Sequence, residues 1–234
     1  MYKIELHLHT KYASGCGKMD AEEIARAYAG AGYSGIVVTD HYNRNTVWYP
    51  QMLPPGNDLH GFLEGYYRVK KAGESLGLKV YRGAEIRFDE SPNDYLLYNY
   101  PDELLAEPDA LFSMGLEKFI HLSRRAGAVL IQAHPCRTSS AAACHPAKAE
   151  LLDGVEIRNL CIGNTNHNGE ALAFARANPQ LIRTQGSDCH RPEGVALAGI
   201  ACSFLPEDDA ALAEMLRNRA FSLIEPTWQE GDQT

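Results

Sequence analysis

The stretch Tyr2-Lys3-Ile4-Glu5-Leu6-His7-Leu8-His9 decides the fold. Its apolar run over Tyr2–Leu8 reads as a β-strand, and residues two apart in a strand point to the same side. His7 and His9 therefore present two imidazoles together at a strand end, half of a site for a divalent metal. Four later runs end in the same way, with Thr39-Asp40-His41, Ala84-Glu85, Ala133-His134-Pro135 and Ser187-Asp188-Cys189-His190. Each follows an apolar segment of strand character. His, Asp and Glu at successive strand ends are the side chains that bind catalytic divalent ions.

The segments between these runs alternate in kind. Asp20-Ala21-Glu22-Glu23 offers a capping residue with acids in the first turn, and Gly32 stands where that helix ends. Gly35–Thr39 reads as a buried strand, Leu59–Leu76 as a helix closed by Gly77, and Lys79–Phe88 and Tyr95–Tyr98 as strands. Helices are then expected over Ala110–Ala126, Ala141–Leu152, Asn168–Ala177 and Glu207–Arg219. Strands are expected over Ala128–Gln132, Gly154–Arg158, Leu181–Gln185 and Gly199–Phe204. Repeated strand-then-helix units mean parallel strands covered by helices, in an open doubly wound sheet or a closed barrel. No GxGxxG or phosphate loop follows any strand. Five clusters on five strands meet where strand ends converge, at the mouth of a barrel. The expected fold is α/β, one barrel domain over residues 1–228 with a polar tail at 229–234.

The 234 residues are 45% hydrophobic and 22% charged, ordinary for a globular chain. The net charge of −8 argues against a protein that holds nucleic acid by neutralising its phosphates. It leaves room for a small phosphorylated substrate, because bound cations reverse the local sign of a pocket. Six scattered cysteines without a CxxC pair read as reduced thiols. No signal-like segment opens the chain, and no stretch approaches the ~20 apolar residues of a membrane span. A cytoplasmic location and no membrane partner are the expectation.

His7, His9, Glu85 and Asp188 make a set for one ion. Glu85 has two oxygens and can bridge to a second ion held by His134, while His41 and His190 can hold a third. Ions so grouped lower the pKa of a water and take the charge that builds on a phosphoryl oxygen. Each residue also has a plainer reading. A lone histidine is more often structural, Asp40 or Asp188 can cap the next helix, and Glu85 can pair with Arg87. Coincidence at all five strand ends is harder to sustain.

The runs ELHLHT, GIVVTDH, GAEIRF, LIQAHPCR and TQGSDCH resemble, in order and across nearly the whole chain, the motifs of the PHP (polymerase and histidinol phosphatase) family. Those motifs are an HxH, a TDH, a Glu closing the third strand, an HP and a final SDxH. The resemblance implies a distorted seven-stranded TIM-like β/α barrel, two or three divalent ions (zinc, manganese or iron) and phosphoesterase chemistry. It makes His7, His9, His41, Glu85, His134, Asp188 and His190 metal ligands, with Asp40 orienting an imidazole. Two positions depart from the pattern. Many relatives carry an Asp or His shortly after the HxH, where this chain reads Tyr12-Ala13-Ser14-Gly15-Cys16-Gly17, leaving Cys16 open to ligation or packing. Many carry a further His before the HP, where this chain has Asp94-Tyr95-Leu96-Leu97-Tyr98, with Asp94 or Tyr95 nearest the place.

Arg137 follows the HP motif, and a guanidinium there can clamp a phosphate through two parallel hydrogen bonds. Asp188, besides ligating, is the candidate to accept a proton from the attacking water. Arg158 and Asn159 are expected to face the mouth, and Lys11 and Arg44 to steer an anion toward it. His60, His121, His145 and His167 fit structural roles. The expected reaction is hydrolysis of a small phosphomonoester by metal-activated hydroxide. A nuclease on short oligonucleotides or nucleic-acid ends is the alternative that a basic lane beside the mouth would favour. Metal-dependent C–N hydrolysis wants a carboxylated lysine at a strand end, and none plainly stands there. A barrel that has lost turnover would serve as a metal-binding scaffold or regulator.

Overall fold

The computed structural model describes residues 1–44, 59–139 and 142–225, without the side chain of His60. The tail expected at 229–234 lies outside the described residues. The strands are β1 Tyr2–Leu8, β2 Gly35–Val38, β3 His41–Tyr42, β4 Lys79–Arg87, β5 Asp94–Tyr98, β6 Val129–Gln132, β7 Gly154–Asn159, β8 Ile182–Gly186, β9 Ile200–Cys202 and β10 Ser222–Leu223. Among the described residues the α-helices are α1 Ala21–Gly30, α2 Leu59–Phe62, α3 Glu64–Glu74, α4 Pro108–Met114, α5 Leu116–Arg125, α6 Asn168–Ala177 and α7 Asp209–Arg217.

Seven strands, in the order β1-β2-β4-β5-β6-β7-β8, form the wall, and β9 and β10 extend it beyond β1. Past the end of β8 the sheet returns to its start. Leu8 and Cys189 form a parallel bridge. His9 N–H donates to the Cys189 carbonyl at 2.9 Å, and Cys189 N–H to that of His7 at 3.2 Å. The result is a nearly closed, distorted TIM-like barrel.

The expectation of parallel strands holds for β1-β2-β4 and β6-β7-β8. It fails at β5, which runs antiparallel to both β4 and β6, and at β9 and β10. Only residues 88–93 join β4 to β5, too few for the crossover a parallel pair requires.

Helix boundaries follow local chemistry. Asp20 and Glu23 cap α1 reciprocally: Glu23 N–H donates to Asp20 Oδ1 at 2.9 Å, and Asp20 N–H to Glu23 Oε2 at 2.8 Å. The helix expected over Ala110–Ala126 breaks at Gly115, whose φ of +78° suits glycine alone. The helix expected over Leu59–Leu76 divides at Leu63. No helix forms within Ala141–Leu152 among the described residues, apart from a 3-10 turn at Ala149–Leu151. Pro146 disfavours helical backbone at His145. The neighbouring backbone is held elsewhere: the His145 carbonyl accepts from Asn93 and Gln132 at 2.9 Å each, and Ala147 N–H donates to Gln132 Oε1 at 2.8 Å.

Three apolar clusters support the barrel. One packs α4 and α5 on the wall through Phe112, Phe119 and Ile120. Another joins Ile4, Leu6, Leu96, Tyr98 and Ile131 with Leu212 and Leu216 of α7. The third seats Ile24, Tyr28 and Val69 of α1 and α3 on Leu8, Ile36 and Val38. Each such side chain contributes roughly 1.5–3 kcal/mol by leaving water.

Two bulges shape the mouth. Glu5 pairs with Ile36 and Leu8 with Val38, so β1 carries one extra residue. Glu156 pairs with Thr184 and Arg158 with Gln185, so β7 does the same. An extra residue re-aims the side chains around it.

Candidate metal centre

The bulge in β1 separates Glu5 from the histidines that follow it. The Glu5 carboxylate accepts hydrogen bonds from the N–H groups of Leu6 and His7 at 3.1 Å each, from Ser187 N–H at 3.0 Å, and from the hydroxyls of Ser187 and Tyr28. Burial nevertheless pushes its carboxyl up to about 7. His7 and His9 turn together into the mouth, with Nε2 atoms 3.1 Å apart.

Around that pair the other strand ends converge. His7 Nε2 lies 3.3 Å from Glu85 Oε1 and 3.4 Å from Asp188 Oδ1. His9 Nε2 lies 3.1 Å from Asp188 Oδ1 and 3.5 Å from Glu85 Oε2. His134 Nε2 is 2.9 Å from Glu85 Oε1. Strand β3 pairs with β4 at His41 and Glu85, bringing His41 Nδ1 to 2.5 Å from Glu85 Oε2. His190 Nδ1 sits 3.4 Å from Asp188 Oδ1. All seven residues expected as ligands therefore stand in one cluster. His7, His9, Glu85, His134 and Asp188 are buried, and His41 and His190 open toward solvent. His134 and Asp188 have left-handed backbones, with φ of +27° and +46°. Such strain costs of order 1–3 kcal/mol and gathers at functional sites.

The donor set fits a cation. Glu85 Oε2, Asp188 Oδ1, His41 Nδ1 and His134 Nδ1 are buried and make no well-aligned hydrogen bond, although Glu85 Oε2 and His41 Nδ1 crowd to 2.5 Å and Asp188 Oδ1 lies 3.1 Å from His9 Nε2. Each unsatisfied buried atom costs roughly 1–3 kcal/mol, and a divalent ion satisfies several such atoms at once. Burial opposes ionisation of Glu85, yet His41 and His7 hold its carboxyl well below the usual range. Burial likewise opposes ionisation of Asp188, and His7, His9 and His190 hold it low. Both acids are thus kept in the form that ligates. Burial, with His190 and His41 beside it, keeps His9 neutral, also the ligating form, whereas His41 and His190 are themselves raised, to about 10 and about 11, and would ligate only on losing a proton to an incoming ion.

The outer nitrogens of the first two rings are fixed. His7 Nδ1 lies 3.1 Å from Glu156 Oε1. His9 Nδ1 lies 3.2 Å from Ser14 Oγ, which donates to Asp40 Oδ1 at 2.7 Å. Asp40 also accepts from Thr10 N–H and Oγ1 at 2.7 Å each, so it reaches His9 through Ser14 and caps no helix. Gly186 leaves room for this packing: a Cβ there would stand 2.5 Å from both Glu156 Oε1 and the His7 Cβ.

Asp94 stands with Glu85 and His134, its Oδ2 3.8 Å from His134 Nε2, while Tyr95 packs into the core. Arg87 grips Asp94 through two bonds of 2.7 and 2.6 Å rather than pairing with Glu85. Arg137 spans the edge, with Nη1 3.3 Å from Asp188 Oδ2 and Nη2 3.4 Å from Asp94 Oδ2. Asn159 turns in, donating to Glu156 Oε2 at 2.8 Å and Asp188 Oδ2 at 3.3 Å. Arg158 instead donates to Gln185 at 3.1 Å. Lys11 pairs with Asp20 at 3.4 Å, and Arg44 with Asp89 and Asp109 at 2.7 Å, so neither charge is aimed at the cluster. His167 opens α6 and contacts Thr138 at 3.0 Å.

Glu156, Ser14 and Cys161 escape the sequence reading. An acid inside the apolar strand Val155-Glu156-Ile157 is a usable signal for the first. Beside Asp188 and His190 opens a cavity of about 510 Å³, lined also by Cys16, Cys161, Asn164 and Arg191.

The family model for the PHP domain matches residues 5–169, which carry the HxH, TDH, Glu and HP positions in the cluster just described. The chain belongs to the PHP family. A search of curated proteins finds no match to this PHP chain. Its barrel is similar to a two-domain protein from Bacteroides vulgatus described as containing a predicted PHP-like metal-dependent phosphoesterase, with TM-score 0.67 and 15% identity over 96% of this chain. This chain spans 65% of that protein. It is similar to PsfC from Pseudomonas syringae, with TM-score 0.65 and 18% identity over 97% of this chain and 92% of that one. It is also similar to the lesion-specific endonuclease PfuEndoQ from Pyrococcus furiosus, with TM-score 0.58 and 13% identity over 95% of this chain and 57% of that one. At these identities the likeness is one of fold. Among the described residues of the PHP chain, no helix is long and apolar enough to cross a membrane.

Proposed function

We propose that this PHP barrel hydrolyses a small phosphomonoester with the aid of two or three divalent ions. In this reading His7, His9, Glu85 and Asp188 hold one ion, Glu85 and His134 reach a second, and His41 and His190 serve a third. One observation carries it: Glu85 Oε2, Asp188 Oδ1 and His41 Nδ1 crowd with His9 into a single buried cluster in which none of the three makes a well-aligned hydrogen bond. Bound zinc, manganese or iron would lower the pKa of a water and take up charge on phosphoryl oxygens.

The chain's own residues do the rest. Glu156 and Ser14 hold the outer nitrogens of His7 and His9, so that both Nε2 atoms stay aimed inward. Arg137, steadied by Asp94 and Asp188, is placed to bind a phosphoryl oxygen as the substrate enters. Asp188, whose Oδ2 meets Arg137 and Asn159 at the edge of the cluster, is our candidate to accept the proton lost by the attacking water. A cavity of about 510 Å³ suits a small ester. The pairing of Lys11 and Arg44 with acids argues against a basic lane for a polymer. The unpaired thiols fit a reducing, cytoplasmic setting.

The test is metal content by elemental analysis, joined to a panel of phosphomonoesters, dinucleotides and oligonucleotides with added manganese, zinc or iron. Phosphate release from monoesters, lost on chelation, is expected. Preferred cleavage of oligonucleotides would replace this reading with a nuclease. A chain that binds no ion and releases no phosphate would end it.

A further inference from the structure

The roles above leave two thiols at the mouth unused. Cys161, two residues beyond β7, is buried. Its Sγ, a carboxylate oxygen of Asp188 and a ring nitrogen of His190 all lie within 4.8 Å of one another. Asp188 is itself 1% exposed, and its Oδ1, 3.1 Å from His9 Nε2, accepts no well-aligned hydrogen bond. The side-chain amide of Asn164 donates to Cys161 Sγ at 3.2 Å, which holds the sulfur in place beside Asp188 and His190. Cys16, on the loop after β1, lines the same cavity as Cys161, Asp188 and His190. Ring nitrogens of His9, His41 and His190 fall within the same 4.8 Å limit. The inner end of the cluster thus offers nitrogen and oxygen alone, and the outer end adds sulfur.

That difference selects among metals. Thiolate is a soft ligand that zinc accepts readily, whereas manganese and magnesium prefer oxygen. We propose that the outer ion position, at His190 and Asp188, is a thiolate site in which Cys161, with Cys16 at the rim, supplies sulfur to zinc or another thiophilic divalent ion. This rests on the reading of the cluster as a metal centre and adds which ion its outer position takes.

The experiment loads the full chain with cobalt(II) as a spectroscopic stand-in and counts bound zinc in parallel. Thiolate ligation gives a near-ultraviolet sulfur-to-cobalt charge-transfer band that nitrogen and oxygen ligands do not. The wild type should show the band. The double variant Cys16→Ser/Cys161→Ser should lose it together with one equivalent of zinc, and keep the remaining ions. Cys16→Ser/Cys161→Asp should keep that equivalent without the band, which separates lost ligation from a misfolded mouth. Cys144→Ser, near His134, should keep the band. Cobalt bound without the band, or a band that survives in the double variant or vanishes in Cys144→Ser, would overturn the thiolate assignment and leave the metal centre standing. Failure to bind either metal would overturn both.

Discussion

Glu156 Oε1 stands 3.1 Å from His7 Nδ1, and the other oxygen of Glu156 accepts the backbone N–H of His134 at 2.9 Å. One carboxylate, on a strand that carries none of the seven expected ligands, sets the orientation of two of them. Outer partners of this kind are worth roughly 10–100-fold in metal affinity. Glu156→Gln keeps the shape and removes the charge, so zinc affinity measured by calorimetric titration should fall in that range. Unchanged affinity would reduce Glu156 to packing.

Glu85 is the acid shared by His7, His9, His41 and His134. Glu85→Ala should remove more than one ion by elemental analysis and bring phosphomonoester hydrolysis to background. Activity that survives rules out the bridging role.

Arg137 reaches Asp94 and Asp188 with two different nitrogens. A lysine cannot span both and still present a flat face. Hydrogen bonds to charged groups are worth roughly 1.5–3 kcal/mol, so Arg137→Ala should raise KM about 10–100-fold, with Arg137→Lys between. The ion count should not change in either variant. A fall in kcat at constant KM would contradict a substrate clamp.

Glu5 links stability to pH. Its carboxyl is raised by burial from 4.5 to about 7. Between those values the folded chain keeps a proton that the unfolded chain has released. Stability from this group is therefore full below the unfolded value, falls as pH rises through the window, and is level above it. The shift is worth about 3 kcal/mol. In chelator, Glu5→Gln should gain on the wild type in unfolding free energy between about pH 5 and about pH 8. A difference that does not move with pH would show that Glu5 titrates normally.

The cluster of expected ligands is legible in the sequence because HxH, TDH and SDxH are local patterns, each ending a strand. Partners that act across strands leave fainter marks. Glu156 is a single acid among apolar neighbours, and its meaning depends on β7 standing beside β8 and near β1. Strand direction is not written in Tyr95–Tyr98, whose side chains pattern alike either way; only the short link before it encodes the reversal. The alanine-rich stretch from Ala141 reads as helix until Gln132 and Asn93 claim the backbone of His145 and Ala147. Bulges at Glu5–Leu8 and Glu156–Arg158 are matters of register, which pattern alone does not fix.

The seam of the barrel runs through the two bonds between His7–His9 and Cys189, with the side chains of His7, His9 and Asp188 beside it. An ion held by both sides would act as a removable rivet, tying residue 7 to residue 188 as a disulfide ties distant cysteines. For a loop of this length, chain-entropy arithmetic gives such a tie about 5 kcal/mol. Chelation should then speed hydrogen exchange at the His9 and Cys189 amides more than at those of α5, far around the wall.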